Sequence, residues 1–261
     1  MDIIGYVIVV IISIAVSPLI KGLVNKFVEE DKLEEAELAK NKGKEAKDKK
    51  KTKVKFVPEF DWKVTLVTVL AEIILFIYFR TITPETAPIM LFSHFGMIAQ
   101  YLEYAFLTLL LIICTFSDIK GCIIPNEVNF VGFIAGIILT FINMSVRIAN
   151  GLNALGGMLI GLLVFLGIAG LSILVFKKEG MGGGDIKLMG VIGLYVGLLN
   201  NIQVFILSFF IAAIISLFLL ATKIKKGDDY IPFGPFIVLA AYITMLFPTS
   251  VTMPALFQLL G

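Results

Sequence analysis

The sequence predicts an all-α, polytopic membrane protein with about eight transmembrane helices and one charged cytoplasmic loop. Three observations carry this. Apolar residues make up 58% of the 261 residues and the mean hydropathy is +0.96, whereas an average soluble domain is about 45–50% apolar and 25% charged. The apolar residues are gathered into runs of membrane-crossing character. The charges, 16% of the chain, are clumped: residues 21–63 hold 13 of the 22 Lys and Arg and 10 of the 20 Asp and Glu. A soluble globular domain and a disordered chain, which lacks apolar residues, are both excluded. The net charge of +2 says little, because the clumping matters more than the sum.

Residues 3–20 form the first run, uncharged throughout. Its leading residues are Met1 and Asp2 and its lysines follow it, the reverse of a secretory signal, so it reads as a retained helix. The second run is 64–79, interrupted by Glu72. The third is 96–116, with Gln100 and Glu103 near its start. The fourth is 128–146, and the fifth, 154–176, has no charge at all. The sixth, 188–199, rises only about 18 Å as a helix, short of the ~30 Å hydrocarbon core. It must borrow residues from its flanks or dip part-way, near residue 185. The seventh is 202–221, and the eighth is 231–247, ended by Pro248.

Lysine placement orients these runs. With 21–63 in the cytoplasm, Lys120, Lys177, Lys178, Lys187, Lys223, Lys225 and Lys226 also fall inside, and only Arg80 and Arg147 fall outside. One orientation satisfies the positive-inside rule and the other violates it. Residues 1–20 then form a first helix, 21–63 a cytoplasmic loop, and 64–261 a membrane-embedded domain. In the loop, Glu34, Glu35 and Glu37 precede lysines at helical spacings, so part of it reads as a solvated helix. Lys49, Lys50, Lys51, Lys53 and Lys55 form a basic end suited to anionic headgroups. Nothing in the chain has the pattern of a nucleic-acid module.

Few residues can do chemistry. The two cysteines, Cys114 in an apolar run and Cys122 in a loop, form no CxxC pair, which argues against a cysteine zinc site. His94 is the only histidine and falls on the outer side. GxSxG, HExxH and GxxxxGK[ST] are absent. Carboxylates remain. Asp118 closes the third run and Asp185 opens the sixth, and the topology puts both at one depth on one side. Brought together by the fold, they would share one site. Two close carboxylates in a low dielectric do not both ionise easily and would share a proton. One would take a proton from water while the other donates to a carbonyl oxygen. Gly182, Gly183 and Gly184 precede Asp185. They allow unusual dihedrals and close backbone approach, which suits a peptide laid beside Asp185; a simple flexible turn is the plainer account. Glu72 and Glu103 read as hydrogen-bonding groups between helices, Asp228 and Asp229 as a solvated pair. Gly157 with Gly161, and Gly193 with Gly197, are small-residue spacings for close helix packing.

Three blocks resemble the type IV prepilin peptidases, membrane aspartic proteases of the GxGD type. They are 118–126, DIKGCIIPN; 180–188, GMGGGDIKL; and 231–236, IPFGPF. They stand in family order. The resemblance implies that Asp118 and Asp185 are the catalytic pair and that no metal or organic cofactor takes part. It makes Gly182 and Gly184 the GxGD glycines, with Gly183 between them. Lys187 matches the family's lysine, and Pro232 and Gly234 lie in the IPFGP block. It implies cleavage of a short basic leader from pilin-like or archaellin precursors, just before the precursor's apolar helix, at the cytoplasmic face of the cell membrane. Many bacterial members carry paired cysteines in a cytoplasmic domain and also N-methylate the product. Residues 21–63 contain no cysteine, so the resemblance does not extend to that second activity, which archaeal relatives commonly lack. Bacterial members often have an aspartate where this chain has Asn126. Two other readings of the same residues are a transporter or channel with a glycine-loop site, and a presenilin-type protease cutting deeper within a helix.

Overall fold

The computed structural model describes residues 2–41, 54, 56–81, 97–177, 180–224 and 231–250. Its helices are α1 (Asp2–Asn41), α2 (Trp62–Thr81), α3 (Met97–Gly121), α4 (Asn126–Val146), α5 (Ile148–Phe176), α6 (Gly183–Val196), α7 (Leu198–Ala221) and α8 (Gly234–Leu246). Each apolar run forms a helix over most of its length, the eighth only from Gly234, with residues 231–233 non-helical, and no strand occurs among the described residues. Stretches of α1, α2, α3, α5 and α7 are long and apolar enough to cross a bilayer; α4 and α8 give shorter apolar helices. The chain is a multi-pass, all-α membrane protein.

The first helix does not stop at residue 20. It continues to Asn41, so the charged stretch begins within a helix. Pro18 lies inside it and cannot donate to the Ile14 carbonyl; the Ser17 hydroxyl donates there instead, at 3.1 Å. The extension is held by packing. Val24, Phe27 and Val28 are buried, and Gly121 at the end of α3 leaves room for Val28, 3.0 Å from where a Cβ would stand. Lys49, Lys50, Lys51, Lys53, Lys55, His94, Lys178, Lys225, Lys226, Asp228 and Asp229 lie outside the described residues.

The short sixth run is resolved by a shift of register. Gly197, at φ +80°, ends α6, so Leu198 and Leu199 begin α7. At its other end α6 takes in residues 183–187. Its 14 residues rise about 21 Å, and residues 188–196 are all buried. A helix enclosed by protein need not match the bilayer's thickness. It is enclosed because α5 approaches backbone to backbone: a Cβ on Gly157 would meet the Gly193 carbonyl, and one on Gly193 the Gly157 carbonyl. Asn201 of α7 donates to the carbonyls of Gly157 at 2.8 Å and Met189 at 3.2 Å, tying three helices.

The two acids of the second and third runs differ. Glu72 accepts from the Tyr101 hydroxyl at 3.2 Å, an α2–α3 link. Glu103 does not make the expected interhelical hydrogen bond: both its oxygens are buried without a partner. Tyr104 and Tyr195 both lie within its electrostatic reach, and the Tyr195 hydroxyl donates to the Gly132 carbonyl at 2.9 Å.

Candidate active site

The three sequence blocks meet at one end of the bundle. Asp118 lies in the last turns of α3 and is 4% exposed. Its Oδ2 accepts a hydrogen bond from the backbone N–H of Gly234, at 2.8 Å across 116 residues of chain. Gly234 is the first residue of α8 and Pro235 follows it. A first-turn N–H has no partner within its own helix, proline is at ease in that turn because it lacks one, and the helix's positive end suits a carboxylate. Glycine is required here by space. A Cβ would stand 2.6 Å from the Asp118 oxygen.

Asp185 lies in the first turn of α6 and is 7% exposed. Its backbone N–H donates to the Gly182 carbonyl at 3.1 Å, and its Oδ1 is buried with no hydrogen-bond partner. Asp118 and Asp185 are within electrostatic reach of each other, and both act on Cys114, one turn deeper on α3.

The glycines act through room, not through dihedral angle. Gly197 is the one glycine with positive φ among the described residues, and Gly182, at φ −69° and ψ 139°, is ordinary extended backbone. A Cβ on Gly184 would lie 2.8 Å from Ile124 Cβ, and one on Gly182 would lie 3.2 Å from Asp185 Oδ2. Gly184 thus seats α6 on the Ile124–Pro125 segment that follows Asp118. Gly183 has nothing within 4 Å of its Cβ position. Lys187 donates to Asn126 Oδ1 at 2.6 Å, joining α6 to the start of α4. Pro232 is half-buried just ahead of α8 and forms no hydrogen bond to either aspartate.

Asn129 was not singled out by sequence reasoning. It is buried, and its amide reaches the Gly184 carbonyl at 3.4 Å. The signal was available: an amide in the first turns of a helix whose next ten residues are apolar or glycine has to find a partner. Ser117, beside Asp118, is also fully buried with an unpartnered hydroxyl. Among the described residues no group of three or more His, Cys, Asp and Glu side chains could hold a metal ion.

Fold and site together define a class: a helical membrane protein with two buried aspartates at one end of its bundle. Residues 105–217 match the model of the type IV leader peptidase family. The chain is similar to the prepilin leader peptidase/N-methyltransferase of Aeromonas salmonicida. The two are 29% identical over 146 residues, 56% of this chain and 49% of the relative. The protein of the same description from Stutzerimonas stutzeri is 26% identical over 159 residues, 61% of this chain and 54% of the relative. That of Xanthomonas campestris pv. campestris is 33% identical over 66 residues, 25% of this chain and 23% of the relative. The chain spans about half the length of the first two. No solved structure matches it.

Proposed function

We propose that this protein is an aspartic endopeptidase that removes a short basic leader from pilin-like or archaellin precursors. Residues 64–261 form its peptidase domain, and Asp118 and Asp185 carry the chemistry. The observation that supports this most is the meeting of the three blocks: Asp118 on the Gly234 N–H, Gly184 on Ile124, and Lys187 on Asn126, with Asp185 in the turn they enclose.

In this reading water is the nucleophile. The ionised aspartate takes a proton from water as the oxygen attacks the scissile carbonyl carbon. The protonated aspartate gives its proton to the carbonyl oxygen, leaving a neutral gem-diol. A proton then passes from the gem-diol to one aspartate and from the other to the leaving nitrogen. The C–N bond breaks, and the pair returns to its single proton. Asp118 and Asp185 act as a unit, so neither is assigned alone as acid or base. The Gly234 N–H positions Asp118 throughout.

The site lies on the lysine-rich side of the bundle, which the positive-inside rule makes cytoplasmic. A basic leader would stay in the cytoplasm while the precursor's apolar helix remains in lipid. The test is cleavage in liposomes, with mass spectrometry, of one pilin-like and one archaellin-like precursor. Each carries a basic leader, a glycine before the cut and an apolar helix after it. Cleavage at the leader boundary supports the proposal, and the product mass reads out any methylation. A cut within the apolar helix supports the presenilin-type reading. Both precursors left intact by folded protein would overturn the assignment in favour of a transporter.

A further inference from the structure

The segment between α1 and α2 is non-helical over residues 56–61, yet it is tied closely to α1. The Glu59 N–H donates to the Pro18 carbonyl at 3.2 Å. Lys21 pairs with Asp61 at 2.7 Å, and the Asn25 amide binds the Glu59 carboxylate. A Cβ on Gly22 would meet the Val57 carbonyl at 2.5 Å, so only glycine lets the segment lie this close. Both acids of the segment are therefore engaged by α1. What faces outward is apolar and basic: Val57, Phe60 and Trp62 are 59–65% exposed. The Lys63 ammonium stands 5.8 Å from the centre of the Trp62 ring. Lys63 makes no ion pair among the described residues.

On a transmembrane helix, exposed apolar side chains are covered by acyl chains. That account fails for this segment, because free backbone polar groups are not tolerated against hydrocarbon. The 20 residues of α2 rise about 30 Å, the thickness of the hydrocarbon core. Trp62, its first residue, therefore stands at one boundary, at the level where aromatic rings and lysines meet headgroups. Just ahead, the sequence holds five lysines and no acid between residues 49 and 55; they lie outside the described residues and are not part of the site. The charge of this boundary is complementary to an anion.

We propose that residues 57–63 form a binding site for an anionic phospholipid. The phosphate sits on the Lys63 ammonium and the Trp62 indole N–H, and the upper acyl chain lies on Phe60 and Val57. Neither the peptidase assignment nor its failure bears on this site.

Trp62 is the only tryptophan in the chain, so its fluorescence reports on the site directly. The full-length protein is placed in phosphatidylcholine bilayers with an equal amount of bromine on either phosphatidylglycerol or phosphatidylcholine. A surface lysine enriches an anionic lipid about fivefold over a neutral one, so quenching by the brominated phosphatidylglycerol should be several-fold stronger. Lys63→Gln, an exposed change that leaves the Asp61 ties intact, should remove most of that difference. Equal quenching by the two lipids, or no quenching by either, overturns the proposal. A preference unchanged in Lys63→Gln overturns it as well and moves the attraction to the lysine run.

Discussion

At the scale of single residues, the site depends on two glycines that exclude a methyl group and tolerates a third that does not. Gly234→Ala should push the Asp118 carboxylate off the α8 N–H. A hydrogen bond to a charged group contributes about 1.5–3 kcal/mol, so leader cleavage should fall about 10- to 100-fold, with the protein still inserted. Gly183→Ala meets no neighbour, and its rate should stay within about twofold of wild type, alanine being the better helix former in α6. Steady-state cleavage rates of the two variants, measured side by side, check both. Much of the site was legible in the sequence, because Asp118, Asp185, the glycine block and the IPFGPF block announce themselves by residue type and spacing. What was not legible was how each glycine is used. The residues suggested unusual dihedrals, but Gly182 is extended and Gly184 is needed for room beside Ile124. Such contacts are formed between segments 60 residues apart, and a local pattern carries no record of them. Asn129 differs: its need for a partner could be read from the sequence, but the partner itself, the Gly184 carbonyl, is supplied by another helix.

At the scale of the elements, two helix pairs are fixed by specific contacts. The α5–α6 pair meets backbone to backbone at Gly157 and Gly193, and no flexible side chain can give way there. Gly157→Ala should therefore separate the helices and cost about 1–3 kcal/mol, as overpacking does, read as a lower Tm in detergent. The α1–α2 pair is clamped by Lys21 and Asp61. The Lys21 ammonium hydrogen-bonded to Asp61 holds its carboxyl below the usual carboxylate range, helped by the Lys63 N–H. Because the folded value is depressed, the clamp contributes fully above the unfolded value of about 3.9 and is lost as pH falls through the folded one. Asp61→Asn can still cap α2 but cannot pair with Lys21. The Tm gap between wild type and Asp61→Asn should be constant near neutral pH and close as the pH drops below about 3.9. A gap that widens on acidification would contradict the clamp. The eight runs and their helical character were readable from hydropathy. The length of α1 was not, because its residues 21–41 are charged on the outside yet bury Val24, Phe27 and Val28 against neighbours far along the chain. Nor was the α6–α7 boundary, where one glycine in an unbroken apolar stretch turns the chain.

At the scale of the whole molecule, the bundle gathers the ends of α3, α6 and α8 on the side that carries the lysines, and it buries two aspartates there. A pair acting as one unit has a kinetic signature that independent residues lack. Removing either member costs as much as removing both, as in other coupled catalytic groups. The most direct test of the account is the initial rate of leader cleavage in liposomes by wild type, Asp118→Asn, Asp185→Asn and the double variant, each checked for insertion and folding. The account predicts that both single variants lose cleavage and that the double variant is no worse than either. Sustained cleavage by Asp118→Asn or Asp185→Asn, or losses that multiply in the double variant, would contradict it.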